Sequence, residues 1–295
     1  MYSFGSIWLD APNKLIPARS GDSNIAMSGC FDLPARLGET SHDWADQNGV
    51  EPYVDQDELF FSGRDITLKM LMKGSKSYVC QQIQFIYDQI NAFTTTQTLS
   101  TPYGVFYDVY LKKAPVIQYN SISEITFEFR EPNPGLSYGM LPYTGSADNM
   151  IDGIPFLSFG LYISSQTDKA SLPELKEQKY TSYLIEKFKA VKRKEKILQI
   201  NGFIIGNDIN DFLDKVFALQ LIFTSPGLRK IKLNGNIEIE CFAKDGFKVT
   251  NVNLSSKMIA NFAIDLTITN EKELQILTTN NGKGILTHNG NLILI

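Results

Sequence analysis

Apolar and polar residues alternate in several stretches of this chain, which is the pattern of strands with one buried face. The clearest example is 258–268, where six apolar residues occupy every second position. Residues 105–111 and 124–130 alternate in the same way. Further strands are predicted from residue 59 to about 72, with a break at 62–64, and in the shorter apolar stretches 197–200, 231–233 and 237–241.

Two other stretches repeat their apolar residues every three or four positions, which predicts helices with one buried face. The first helix carries this face: Val79, Ile83, Ile86, Ile90, Phe93. The second carries this one: Phe212, Leu213, Val216, Phe217, Leu219. Ser75 or Ser77 is suited to cap the first helix, and Asp208 the second. The chain is therefore expected to be α+β, and mainly β.

An internal repeat is predicted at an offset of 139 residues. Residues 32–34 align with 171–173, residues 59–63 with 198–202, and Ile125, Phe127 and Phe129 with Ile264, Leu266 and Ile268. Each copy has an early strand, then a helix, then alternating strands. A Pro- and Gly-rich stretch between the copies is typical of a linker.

The predicted organisation is therefore two related domains, each with one flanking helix. The boundaries place the first domain at 1–134, the linker at 135–155, the second domain at 156–271 and a short C-terminal β arm at 272–295. The arm ends in four apolar residues, 292–295, so we expect it to pair within the protein or with a partner chain.

Composition narrows the classes of function. The chain has 28 Lys and Arg and 32 Asp and Glu, which gives a net charge of −4. This charge argues against a protein that binds nucleic acid tightly. Two histidines and three widely spaced cysteines leave few metal ligands or nucleophiles. We expect no enzyme activity, no cofactor and no metal. Without a signal sequence or a long apolar run, no membrane insertion is expected.

Three local clusters invite a chemical interpretation, and each also has a structural one. Residues 55–58 concentrate carboxylates but lack the glycine and distal glutamate of a calcium loop, which favours a solvated loop. His42 beside Asp43 lacks a nucleophile, which favours loop packing. The basic run 189–196 is either a solvated loop tip or a contact with an acidic neighbouring subunit.

The stretch from Phe60 to Leu68, with the pattern F-x-G-R-x-I-x-L, and the closing strand from Ile125 to Pro132, with the pattern I-x-F-x-F-x-x-P, resemble the N-terminal ring-forming domain of tailed-phage distal tail proteins. Residues 31–34 and 101–104 and the aromatic residues Trp44 and Tyr53 fit the same resemblance, which covers about residues 30–134. Through the repeat, a weaker version extends to about residue 270.

This resemblance implies a tail-tube-like β-sandwich or half-barrel for each domain, and a structural protein of a phage or prophage tail tip or baseplate. Its ring would connect the tail tube to the hub. It also implies self-association, as a hexameric ring or a pseudo-sixfold trimer, with the tail tube and baseplate hub proteins as partners. The implied location is the virion tail, after assembly in the host cytoplasm.

The ring is expected to form by edge pairing of the strands that end at Phe129 and Ile268, while long loops at about 32–58 and 171–196 reach adjacent rings. The predicted interface comprises these residues: Phe61, Arg64, Asp65, Ile125, Phe127, Phe129, Lys192, Arg193, Lys194, Phe262, Ile264, Leu266. The alternative is a carbohydrate- or receptor-binding module of the tail tip, in which these aromatic residues stack on sugars: Trp8, Trp44, Tyr138, Tyr143.

Overall fold

The computed structural model describes residues 1–10, 13–45, 47–136, 139–166, 173–182, 185–234 and 238–269, with the backbone alone for 177–182 and 185–191. These residues form two large antiparallel sheets, two hairpins and two α-helices. The expected class, α+β and mainly β, is confirmed. The predicted C-terminal arm lies outside the described residues.

The first half of the chain contains eleven described strands and one helix. The strands are β1 (Ser3–Phe4), β2 (Ile7–Trp8), β3 (Ile16–Pro17), β4 (Met27–Ser28), β5 (Ser41–His42), β6 (Glu51–Pro52), β7 (Arg64–Met72), β8 (Gln97–Ser100), β9 (Phe106–Leu111), β10 (Val116–Gln118) and β11 (Ser123–Glu131). Helix α1 spans Lys76–Asn91 and connects β7 to β8. Ser75 caps it by accepting the Tyr78 N–H, which decides between the two predicted caps.

The second half contains nine described strands and one helix. The strands are β12 (Met150–Ile151), β13 (Ile154–Pro155), β14 (Leu161–Gln166), β15 (Leu175–Ser182), β16 (Ile185–Arg193), β17 (Lys196–Gly206), β18 (Arg229–Lys232), β19 (Ile239–Leu254) and β20 (Met258–Ile268). Helix α2 spans Ile209–Thr224 and connects β17 to β18. Because β12 and β13 belong to the second sheet, the predicted linker 135–155 is wrong at its C-terminal end.

The two large sheets have the same order of strands. The first is β2-β1-β8-β9-β11-β7-β3, and the second is β13-β12-β18-β19-β20-β17-β14. In each sheet a helix follows the sixth strand in this order and leads to the third. The predicted register allowed a slip of several residues in the helix region, where Lys76 and Ile209 begin the two helices 133 residues apart. Strands β11 and β20 begin 135 residues apart, at Ser123 and Met258, so the offset of 139 predicted for these strands is wrong by a few residues. Low identity and unequal loops hid the correct register.

Each sheet has one face in the hydrophobic core and one face in contact with solvent. In β7 and β11 the residues alternate between buried and partly exposed along their whole length. The core faces of both sheets and both helices contribute to one continuous cluster of buried apolar residues. The alternation that was visible in the sequence therefore marks the core face of each strand correctly.

Helix α2 begins with two aspartates that each satisfy a backbone donor. Asp208 accepts the Asp211 N–H at 2.9 Å, and Asp211 accepts the Asn207 N–H at 2.7 Å. The Asp211 carboxylate also pairs with Lys215 Nζ at 2.8 Å. Partial burial alone would raise the pKa of Asp211, but these hydrogen bonds outweigh it and hold the pKa below its usual value.

We expect Asp211→Asn to reduce the loss of stability that the protein suffers in acid. Because the folded-state pKa is lowered, the stability that Asp211 contributes, about 1 kcal/mol, is present above about pH 4 and is lost as the pH falls further. Urea unfolding at pH 7 and pH 3 measures this difference. Asp214→Asn is the matched control, since it removes an exposed charge from the same helix. An equal acid loss in wild type and Asp211→Asn would contradict the prediction.

Candidate assembly interface

Residues 23–36, here called the joining segment, connect the two sheets. On one side, β4 within this segment pairs with β7 of the first sheet. On the other side, Leu33 and Phe247 exchange two backbone hydrogen bonds, with N···O distances of 3.0 and 3.2 Å, and the Asn24 N–H donates to Val252 O at 2.9 Å. Main-chain hydrogen bonding therefore continues from the first sheet into β19 of the second.

The joining segment occupies an edge of β19 that β18 is too short to cover. Strand β19 has 16 residues, whereas β18 has four and pairs only with its first three. Past this point, side chains of the joining segment accept hydrogen bonds from further backbone N–H groups of β19. Asp32 accepts the Val249 N–H at 2.8 Å, and Ser23 accepts the Val252 N–H at 3.0 Å. Buried donors that would otherwise lack a partner are thus satisfied.

Helix α2 packs against the joining segment. The buried Gln220 donates to Phe31 O at 3.2 Å, and the Phe31 ring meets the Phe212 ring edge-on, with centroids 5.5 Å apart. Gly246 permits the close approach of the segment to β19, because its φ is +69° and a Cβ there would lie 2.0 Å from Leu33 O. The junction is therefore a packed interior and not a loose crossing.

A buried ion pair ties the joining segment to the first sheet. Arg64 Nη2 lies 2.7 Å from Glu131 Oε2, and both side chains are about 95% buried. Arg64 Nη1 also donates to Asp32 O at 3.2 Å, and the guanidinium lies 5.3 Å from the centre of the Tyr107 ring. Burial raises the pKa of Glu131 above its usual value, although Arg64 opposes this effect. The predicted interface residue Arg64 thus acts inside the chain.

The predicted edge pairing through the strands that end at Phe129 and Ile268 is wrong. Strand β11 lies between β9 and β7, and β20 lies between β19 and β17, so neither strand is at an edge. The following predicted interface residues are buried in the core: Ile125, Phe127, Phe129, Phe262, Ile264, Leu266. A strongly alternating strand is one that a sheet buries on one face, and this pattern does not distinguish a central strand from an edge strand.

The remaining predicted interface residues lie nearer the surface. Asp65 is exposed and pairs with Arg130 at 2.8 Å and Lys112 at 2.9 Å, while Phe61 is half-buried and its backbone bridges to Arg36. Lys192 and Arg193 are half-buried in β16. Lys194 pairs with Glu174 at 2.8 Å at the base of the hairpin.

The loops that were expected to reach adjacent rings contact each other within the chain. Lys176 Nζ donates to the carbonyl oxygens of Trp44, Gln47 and Gly49 at 2.8–3.0 Å, and it pairs with the Asp43 carboxylate. The backbones also meet, because the Gly49 N–H donates to Arg193 O at 2.9 Å. The base of the β15–β16 hairpin is therefore fixed to the loop 43–49.

We expect Lys176→Met to loosen this attachment at a cost of about 1.5–3 kcal/mol, because a largely buried ammonium that satisfies three carbonyls is lost. Hydrogen exchange of the Gly49 amide should become faster. Lys194→Met is the matched control, since its ion pair with Glu174 is solvent-exposed and solvent screening leaves it with little effect on stability. Equal protection of Gly49 in wild type and Lys176→Met would contradict the prediction.

The other clusters singled out in the sequence have structural partners. Asp43 engages Lys176 and not His42, whose ring lies 4.1 Å from the Trp44 ring centre. In the carboxylate cluster, Glu58 accepts the Asp55 N–H at 3.0 Å and closes a short 3-10 turn. Within the described residues, no group of three or more His, Cys, Asp or Glu side chains is arranged to hold a metal ion.

The aromatic residues of the carbohydrate-binding alternative lie on separate elements. Trp8 is in the edge strand β2, Trp44 is in the loop that Lys176 holds, and Tyr143 is in the stretch before β12 with 96% of its surface exposed. Tyr138 lies outside the described residues.

The sequence analysis did not predict that Ser23, Asn24 and Asp32 of the joining segment bind the second sheet. The available signal was a short apolar run, 25–27, inside a long polar loop.

Comparison of the chain with models of known protein families finds no match, and comparison with curated proteins finds none either. Among the described helices, neither is long and apolar enough to cross a membrane.

Proposed function

We propose that this protein is a structural component of a phage tail tip or baseplate, which assembles into a ring between the tail tube and the hub. The observation that carries this proposal is the junction inside the chain. Two sheets of identical strand order are joined head to tail, the β7 edge of one to the β19 edge of the other, through the joining segment. Head-to-tail contacts that repeat between copies generate a ring when the rotation from one copy to the next closes, and a filament when it does not.

A pseudo-sixfold trimer is the form that this junction favours over a hexamer. Each chain already contains two equivalent sheets in head-to-tail contact. Three copies would therefore present six sheets around one axis, as the sixfold symmetry implied by the family resemblance requires. A hexamer of such chains would have to stack two rings or enlarge the circle to twelve sheets.

The solvent-facing surface of the first sheet suits the wall of a channel that DNA passes through. Charged side chains of β7 and β11 form ion pairs with each other and with the two lysines that follow β9: Lys69 with Glu124, Asp65 with Lys112 and Arg130, Lys113 with Glu128. Because the positive charges are neutralised locally, such a wall would attract phosphates only weakly. We infer that these surfaces face the lumen of the ring.

Sedimentation velocity and negative-stain electron microscopy of the purified protein test the proposal. Three chains of 33.2 kDa give an expected mass of about 100 kDa, and the particles should be rings with a central opening. Compact monomers at every concentration up to the solubility limit would overturn it. Closed particles without a central opening would also count against a tail-tube role.

A further inference from the structure

Among the residues that the structure describes, none covers one edge of the first sheet, which corresponds to the edge of β19 that the joining segment covers. After pairing with β8, the chain of β9 continues past the end of β8 and, in the same direction, pairs with β11 as β10. In the same way, β19 continues past β18 along β20. The overhang of β19 is covered by the joining segment. Among the described residues, only β11 pairs with β10.

This edge of the first sheet carries exposed apolar side chains. Val116 in β10 is 44% exposed, and Tyr119 and Ile122, which follow it, are 38% and 46% exposed. An edge strand with unpaired backbone groups and apolar side chains is a site of uncontrolled pairing unless something covers it. Two of the three residues of β10, Val116 and Gln118, are open to solvent.

The second sheet has an edge that corresponds to the edge of the first sheet from which the joining segment extends. Strand β14 lies on β17 where β3 and β4 lie on β7, so it holds the position from which the joining segment leaves the first sheet. It is the last strand in the order of its sheet, and Tyr162 and Ser164 within it are exposed. Within the described part of one chain, the β10 edge and the β14 edge thus each lack a pairing partner on their outer side.

We propose that the β10 edge of one copy is the docking site for the β14 end of a second copy of this chain. The occupant is a second copy because the chain already contains this contact once. The edge of β19 corresponds to the β10 edge, and the joining segment that covers it includes β4, whose position on β7 corresponds to that of β14 on β17. The contact is head to tail and repeats the internal junction between copies. This inference rests on the proposed ring, and it identifies the surface through which neighbouring copies in the ring would bind each other.

Charged substitutions on β10 test the docking site, since lysines on an edge strand block pairing with another strand. We expect the double variant Val116→Lys with Gln118→Lys to weaken self-association by about tenfold or more, as measured by sedimentation equilibrium. Phe106→Lys is the matched control, because Phe106 is a 65% exposed apolar residue of the adjacent strand β9. Circular dichroism and thermal unfolding should show that both variants remain folded.

Cross-linking between differently labelled copies tests the orientation of the contact. In a Cys80→Ser background, which removes the exposed cysteine, one protein carries Gln118→Cys and another carries Ser164→Cys. A short bismaleimide should link the two proteins in a mixture, and neither protein should link to itself. Cross-linking within either protein alone would indicate a two-fold contact and would overturn the head-to-tail arrangement.

The outcomes separate this inference from the proposed function. Rings that form equally well with the β10 double variant would overturn the docking site and leave the ring proposal standing. Equal weakening by Phe106→Lys would also overturn it, because added charge and not edge pairing would then be responsible. If wild-type protein remains monomeric at all concentrations, the ring and the docking site both fail.

Discussion

Replacing Arg64 with methionine is expected to lower the free energy of unfolding by about 3–5 kcal/mol, because it leaves the buried Glu131 carboxylate without its partner. The substitution also removes the hydrogen bond to Asp32 O, which holds the joining segment against the first sheet. Urea unfolding at pH 7 to 8 measures the effect. Lys112→Met is the matched control, since its pair with Asp65 is about half exposed and should contribute about 0–1 kcal/mol.

The destabilisation by Arg64→Met should depend on pH in a defined direction. Burial raises the pKa of Glu131 even in the presence of Arg64, and the loss of Arg64 should raise it further. A carboxyl whose folded-state pKa is raised favours the folded state at low pH, and this contribution is lost as the pH rises. The difference between wild type and variant should therefore be smaller at pH 5 than at pH 8.

A second substitution distinguishes loss of the ion pair from loss of packing. In Arg64→Met combined with Glu131→Leu, no charge remains buried, so most of the lost stability should return. If the double variant is as unstable as Arg64→Met, the cost comes from the changed shape of the site and not from an unpaired carboxylate. If Arg64→Met is no worse than Lys112→Met, the buried pair does not stabilise the junction.

Phe129→Ala is expected to destabilise the protein by about 3–5 kcal/mol, because truncation of a buried aromatic ring removes apolar burial and leaves a cavity. The Phe129 ring is fully buried. Its centroid lies 5.4 Å from that of the Phe4 ring and 6.2 Å from that of the Phe127 ring, and it stacks on both. Thermal and urea unfolding measure the loss. Phe106→Ala, on a 65% exposed ring, should change stability by about 0.5 kcal/mol or less.

This substitution also separates two roles that the sequence pattern alone suggested for Phe129. A residue of a subunit interface would weaken assembly while leaving each chain stable. A core residue would destabilise the chain itself at concentrations far below those of assembly. Unchanged stability in Phe129→Ala together with weaker association would contradict the buried position.

The sequence was informative about the elements that local chemistry controls. The cap Asp208, the helical faces of α1 and α2, and the alternation in β11 and β20 all lie within a few residues of the groups they act on. These features predicted the mainly β fold class and the two helices correctly. They also located the strand-helix order that the two halves share.

Contacts between distant residues were not predictable from these patterns. Arg64 and Glu131 are 67 positions apart, and Asp32 lies 217 positions from Val249. Arg64, beside the predicted strand break, was expected to lie in an interface between subunits, yet the fold places it in the interior. The joining segment contains a strand of only two residues, which is too short to show any periodicity.

The sequence by itself thus determined the two helices and the strongly alternating strands, together with the apolar face of each, because those properties follow from side-chain spacing along the backbone. Only the tertiary structure decided which strands are central, where the repeat aligns, and which edges remain open. These depend on hydrogen bonds between strands far apart in the chain. The tertiary structure also places the expected interface strands in the core. Among the described residues it leaves β10 paired on one side only, which is the basis of the proposed contact with a second copy.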